Sequence, residues 1–502
     1  MGRRKPKSSM NAMKKSDDSI VVRKRANKAG GPVAEPVERR ESAKRKAGSR
    51  DTGWTLGQET VPQVAYRLRK AVERNPKERL TALLHHINLG TLRESCFGLK
   101  REAAAGVDRV TWKAYGEGLD ERLLDLQDRV HAGAYRAQPV RRVEIPKPDG
   151  SKRPLGIATL EDKILQKAVV DCLLTPIFEA EFLGFSYGFR PGRGAHDALD
   201  ALAFAIERRK ISWIVDADIR GCFDAIDRGW LVQFVEHRIG DRRVVRLIQK
   251  WLRAGVMQDG AWSDSGKGTP QGANVSPVLA NVFLHFVLDL WFHRKWRPQV
   301  PRGEARIVRY ADDFVVGFQY KQDAEQFLDD LKARLAKFGL ELHPKKTRLV
   351  EFGRFAAANR KRRQQGKPET FDFLGFTHFV TTTRRGRFRL GRKPKAQRVK
   401  RTLRRVKEVL RKRRHHDIWE VGQWLGQVVN GWLNYYAVPG SSLWLRAFVR
   451  RMQRLWMAVL RRRSQRYRLA WGKLERMTEL LWPPVRIRHT WPDRRFAVKH
   501  SR

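Results

Sequence analysis

Three cysteines in 502 residues, Cys96, Cys172 and Cys222, stand far apart and form no Cys-x-x-Cys pair. That scarcity excludes a disulfide framework and a cysteine-built structural zinc site, and a reducing cytoplasm is the expected compartment. The chain also lacks any run of about 18 apolar residues, the length that a membrane-spanning helix needs. Its N-terminus is basic and polar, without the apolar stretch of a secretory signal, and no internal repeat is visible. Acidic residues are few: 53 Asp and Glu face 104 Lys and Arg, leaving a formal net charge of +51. Solubility needs far less, so the excess points to a polyanionic partner whose phosphates it would neutralise. With no membrane segment, nucleic acid is the partner expected and no membrane association is foreseen.

The charge is unevenly placed. Residues 1–50 carry a net +11 and residues 351–502 a net +31, so residues 51–350 carry only +9. The ends should grip while the nearly balanced centre does chemistry. A hydrophobic fraction of 41% in a chain of this length supports a globular body of two or three domains. Residues 1–54, rich in Lys, Arg, Ser and Gly, read as a basic, disordered arm. Residues 355–370 read as a basic loop, and residues 396–470 show helical apolar spacing, as in Ile418, Val421, Leu425, Val428 and Trp432.

Two stretches in the centre end apolar strands in carboxylates. In "RIVRYADDFVVGF" the alternation of Ile307, Arg309 and Ala311 with Val308 and Tyr310 predicts a strand entering a tight turn at Asp312 and Asp313. "WIVDADIRGCFD" predicts another strand, in which Trp213, Val215, Ala217 and Ile219 alternate with Ile214, Asp216 and Asp218. Adjacent like charges cost free energy unless an Arg, a Lys, a shifted pKa or a divalent cation compensates them. Strand-end aspartates on neighbouring strands supply the oxygen ligands that Mg²⁺ prefers; the plainer reading is a set of solvated turn and cap residues. Upstream, "VEIPKPDGSKRPLGI" (143–157) reads as a basic hairpin, and "GTPQGANVSPVLANVFL" (268–284) as a flexible entry to an apolar helix.

The order of these segments resembles the reverse-transcriptase family, and specifically the group II intron reverse transcriptase-maturases. "IPKPDGSKRPLGI", "FSYGFRPGRGAHDAL", "DIRGCFD", "GTPQGANVSP", "YADD", "GLELHPKKTRLV" and "FDFLGF" are similar to its successive blocks, and "GWLNYY" (431–436) to its maturase signature. The resemblance implies an α+β fold: right-hand polymerase fingers and palm over residues 55–380, a helical thumb or maturase domain over 381–470, and a basic tail over 471–502 that contacts DNA or RNA. It implies two Mg²⁺ ions held by Asp218, Asp312, Asp313 and the backbone of Ile219, with Lys346 protonating the leaving pyrophosphate. Lys147 and Arg153 would meet the triphosphate of a deoxynucleotide, Phe223 would lie under its sugar, and Gln271 and Gly272 would border the new base pair. Intron RNA and target DNA are the implied partners, with Arg411, Lys412, Arg413, Arg414, Tyr435 and Tyr436 as candidate RNA contacts. Trp424 and Trp432 are expected in the core, since Trp buries much of its area. No cysteine follows Cys222, so the resemblance is to members without a Cys/His endonuclease domain. A splicing factor on a retired polymerase fold and a host-recruited reverse transcriptase are the competing functions.

Overall fold

The computed structural model describes residues 60–146, 152–258, 261–263, 266–269, 272–463 and 469–499. Lys147, Gln271 and the basic arm lie outside the described residues. The chain divides into two compact units, each discontinuous in sequence: one joins residues up to 145 with 152–182 and 221–291, and the other joins 183–220 with 292–502. Along the chain the strands are β1 (Val140–Pro146), β2 (Lys152–Ile157), β3 (Trp213–Asp218), β4 (Val256–Gln258) and β5 (Ala261–Ser263). Then come the hairpin β6 (Ala305–Tyr310) and β7 (Asp313–Phe318), β8 (Arg348–Glu351), β9 (Phe371–Phe373), β10 (Phe376–Thr382) and β11 (Phe388–Pro394).

In the first unit the expected basic hairpin forms β1 and β2, which continue into a sheet of order β2-β1-β4-β5. The other described elements of this unit are helices. The Arg242–Arg253 helix buries Val244, Leu247, Ile248 and Trp251 while its arginines face outward, the pattern of an amphipathic surface helix. The predicted apolar helix is Ser276–Leu284, buried at every residue but Pro277.

The second unit is built on an antiparallel sheet of order β6-β7-β3-β8, joined in one core to the β11-β10-β9 sheet. Ile214, Val315 and Val350 from the first sheet belong to the same apolar cluster as Phe371 and Phe376 from the second. Leu425, Leu433, Trp432 and Trp456 of the C-terminal helices extend that cluster. The expected division near residue 380 therefore does not separate two cores: β10 and β11 pair directly across it. The described part of the segment read as a basic tail is folded within this unit. The Trp471–Leu481 helix packs on the Ile418–Tyr436 and Ser442–Leu460 helices, and Arg495 forms an ion pair with the buried Asp200.

Three sequence readings change here. Residues 356–362 form a helix within the segment read as a loop, because Asn359 and Arg363 bind the buried Glu351. Tyr436 is 4% exposed, and Tyr435 donates its hydroxyl to the Leu374 carbonyl at 2.6 Å; both rings are committed to packing rather than to RNA. Trp432 is buried beside Phe448 and Trp424 is half-buried, as expected of core residues. No described helix is long and apolar enough to cross a membrane.

Candidate active site

The carboxylates of the second unit are brought together by strand register. β3 runs antiparallel to β7 with Asp218 directly opposite Asp313, and cross-strand partners hold their Cβ atoms about 5 Å apart. Asp312 shares the β6–β7 turn with Ala311, whereas Asp313 already opens β7. Ile219, just past β3, bridges Leu342, and the His343 amide donates to the Asp218 carbonyl at 2.8 Å. That docking brings the "PKKT" turn to the strand end, where the Lys346 ammonium lies 2.8 Å from Asp218 Oδ2. Five of the sequence-predicted residues, Asp218, Ile219, Asp312, Asp313 and Lys346, thus meet at one edge.

Their electrostatics are unbalanced. Burial, followed by the neighbouring charges of Asp216, Asp312 and Asp218, pushes the Asp313 carboxyl up to about 7. Asp216 is also raised by burial, against the lowering effect of Arg348 at 3.1 Å. Asp372 is held below its ordinary value by Thr377 and Lys395 despite partial burial, with Lys395 at 3.0 Å. Among the described residues no three acidic, His or Cys side chains form a preformed metal cage. The donors are nevertheless hard oxygens with excess negative charge at Asp313, and their chemistry fits Mg²⁺. A cavity of about 320 Å³ opens beside Asp313, lined also by Asp372, Gly375, Lys395, Arg398 and Arg401.

Sequence reasoning missed what sets the turn. Arg309 is fully buried and donates from Nη1 to the Ala311 carbonyl at 2.9 Å, bracing a residue held at φ +58°. Its backbone accepts from the Tyr187 amide and donates to the Phe185 carbonyl, both at 2.9 Å. Gly188 then passes so close that an added Cβ would stand 2.9 Å from the Tyr310 carbonyl carbon and nearer still to the Ala311 nitrogen. A cation in an apolar alternating run was the available signal for Arg309; nothing local singles out Gly188. Gly188→Ala should force the turn away, costing about 1–3 kcal/mol as overpacking does and at least tenfold in any chemistry that uses Asp312 and Asp313. Thermal melting and turnover measured together test this, and an unaffected variant would refute the tight approach.

Of the nucleotide candidates, Arg153, Phe223 and Gly272 belong to the first unit. Arg153 is exposed on β2. Phe223 lies on the short Cys222–Ala225 helix, and its carbonyl accepts from the Thr269 amide at 2.8 Å. Gly272 adopts φ +108°, and a Cβ there would approach the Gly156 carbonyl oxygen at 2.6 Å, so only glycine fits against β2. These segments enclose a cavity of about 370 Å³ lined by Arg142, Gly156, Asp224, Arg228, Lys267 and Thr269. Arg142 and Arg228 had not been singled out. Of the candidate RNA contacts, Arg411 and Lys412 are exposed, Arg414 is half-exposed, and the Arg413 guanidinium sits 5.2 Å above the Trp424 ring.

Paired strand-end aspartates on an antiparallel sheet, with a lysine at their rim, lie within residues 145–378, which match the family model described as "Reverse transcriptase (RNA-dependent DNA polymerase)". This stretch is a reverse transcriptase domain. The group II intron-encoded protein LtrA of Lactococcus lactis subsp. cremoris is 40% identical over 176 residues, covering 34% of this chain and 29% of that protein. Protein YkfC of Escherichia coli is 33% identical over 239 residues, covering 42% and 62%. Nuclear intron maturase 3, mitochondrial, of Arabidopsis thaliana is 28% identical over 200 residues, covering 36% and 27%. The matches span less than two thirds of each of these relatives. Over these segments the chain is similar to group II intron-encoded proteins and intron maturases.

Proposed function

We propose that the protein is an RNA-directed DNA polymerase encoded by a group II intron, which binds that intron's RNA to assist splicing and copies it into DNA during mobility. The observation that carries this reading is the Asp218–Asp313 cross-strand pair with Asp312 in the adjoining turn, inside a reverse transcriptase domain. Asp218, Asp312, Asp313 and the Ile219 carbonyl would hold two Mg²⁺ ions, which when bound activate the primer hydroxyl and offset charge on the triphosphate. The primer 3′-oxygen forms a bond to the α-phosphorus as the bond to the β-phosphate bridging oxygen breaks. Lys346, beside Asp218, is placed in this reading to give a proton to the departing pyrophosphate. Lys147 and Arg153 would bind the triphosphate, Arg153 through a planar fork suited to phosphate oxygens, while Gln271 and Gly272 border the new base pair. The ring of Phe223 would leave no room for a 2′-hydroxyl, selecting deoxynucleotides.

Purified protein should extend a DNA primer on an RNA template in Mg²⁺, and failure of the wild type to do so would overturn the reading. Phe223→Ala should lower discrimination against ribonucleotides by about one to two orders of magnitude, the range that a steric pocket change gives. The ratio of kcat/KM for deoxy- and ribonucleotides measures it, and an unchanged ratio would place the sugar gate elsewhere.

A further inference from the structure

The basic segment between β8 and β9 is an ordered platform, and its chemistry is not used by the polymerase site. Asn359 donates to Glu351 Oε1 at 3.0 Å, Arg363 pairs with the same carboxylate, and Arg360 binds Glu369 at 3.1 Å and the Gly366 carbonyl at 3.3 Å. Those contacts fix the Ala356–Arg362 helix and the turn after it. Arg354, Lys361, Arg362 and Lys367 remain exposed, with no side-chain partner among the described residues. Glu369 is the only acidic residue between Phe352 and Thr370, and Arg360 already neutralises it. Phe355, at the start of the helix, leaves 58% of its surface in solvent. An exposed aromatic ring among unneutralised cations is the combination that binds an unpaired base together with its backbone phosphates.

Sheet register separates this platform from the chemistry. Glu351, its anchor, pairs with Trp213 at the start of β3, whereas Asp218 ends the same strand. Five residues of strand place the two about 17 Å apart at the usual rise per residue. Nucleic acid on the platform is therefore not the primer terminus. A regular DNA duplex keeps its bases stacked and offers Phe355 nothing, whereas folded RNA displays unpaired bases in loops and bulges.

We propose that Arg354, Phe355, Lys361, Arg362 and Lys367 form a docking surface for structured RNA, distinct from the template-primer path. The proposal rests on the reading of the chain as an intron-RNA-binding reverse transcriptase, and it assigns part of that binding to this segment. The test replaces the four cations with Gln in one variant and Phe355 with Ala in a second, in the full-length chain. The probes are a folded transcript of the DNA flanking the reading frame, a duplex DNA of equal length, and a short unstructured RNA template with a DNA primer.

The four-Gln variant should lose about 10- to 100-fold in affinity for the folded transcript and flatten its salt dependence by roughly three in log-log slope, at about 0.7 for each phosphate no longer neutralised. Phe355→Ala should lose several-fold with the slope unchanged. Extension on the short template should stay within twofold of wild type, and melting should be unaltered because the replaced groups are exposed. Unchanged affinity for the transcript in both variants would overturn the proposal, as would an equal loss on duplex DNA or a parallel fall in primer extension. If wild-type protein failed to bind the transcript at all, the underlying functional reading would fall instead, so the two failures are distinguishable.

Discussion

Asp313→Asn is expected to abolish primer extension and, in the absence of divalent cations, to make the protein more stable. The substitution keeps the side-chain shape and removes the charge. If Asp313 holds the catalytic ions, extension should fall by at least about a thousandfold, equivalent to about 4 kcal/mol of barrier. Stability should move the other way. Burial and three neighbouring carboxylates raise the Asp313 pKa to about 7 from its usual 3.8, so the folded protein binds a proton that the unfolded chain has already released. Stability from this group is fully present below about pH 4 and is lost as pH rises through about 7. Asparagine escapes that loss. In EDTA the variant should match wild type near pH 4 and exceed it above pH 7.5 by about 1–3 kcal/mol. Added Mg²⁺ should stabilise wild type more than the variant. Thermal melts at the two pH values, with and without Mg²⁺, together with an extension assay, check every part. Extension within tenfold of wild type would remove Asp313 from the chemistry, and a variant less stable at pH 8 would refute the buried-charge argument.

Replacing Arg411, Lys412 and Arg414 with Gln should separate RNA grip from polymerisation. These residues close the Ala396–Lys412 helix and begin the segment after it, in the third of the chain that carries a net +31. Arg413 is left in place because its guanidinium packs over Trp424. Each phosphate left without its cation lowers the salt slope by roughly 0.7–0.9, so three together should remove about two units of slope and roughly 100-fold in affinity at moderate salt. Losing cations from the last helical turn should cost only a few tenths of a kcal/mol each. Splicing assistance should fall with RNA affinity while extension on a short unstructured template stays near wild type; Asp313→Asn should give the reverse pattern. Filter binding across a salt series and parallel splicing and extension assays provide the comparison. If both activities fell together in each variant, a separable maturase surface would be excluded.

Much of the candidate site was legible because its signal is local. Apolar alternation runs into Asp at both Asp218 and the Asp312–Asp313 pair, and a strand's side-chain period of two reveals itself in a few residues. Gly-Pro punctuation before an apolar run likewise announced the Ser276–Leu284 helix. Other elements misled for an equally physical reason. The Ala356–Arg362 helix has hardly any apolar face, so periodicity could not announce it; side chains binding Glu351 and Glu369 hold it. Tyr435 and Tyr436 looked available to RNA because they are aromatic and lie in a basic region, yet the fold gives Tyr436 to the apolar core and ties Tyr435 to the Leu374 carbonyl.

By itself the sequence determined the strand and helix content around the site, the identity of the carboxylates and the concentration of positive charge toward the C-terminus. These follow from short-range periodicity and from composition, which survive without knowledge of what touches what. Tertiary structure alone decided that Asp218 faces Asp313, that Lys346 reaches Asp218, and that Arg309 and Gly188 shape the turn at Ala311. Only there does the C-terminal third share one core with the sheet that carries Asp218 and Asp313. The reason is distance along the chain: Asp218 and Lys346 lie 128 residues apart, and such pairs are fixed by strand register and packing, which bring together groups that no local pattern relates.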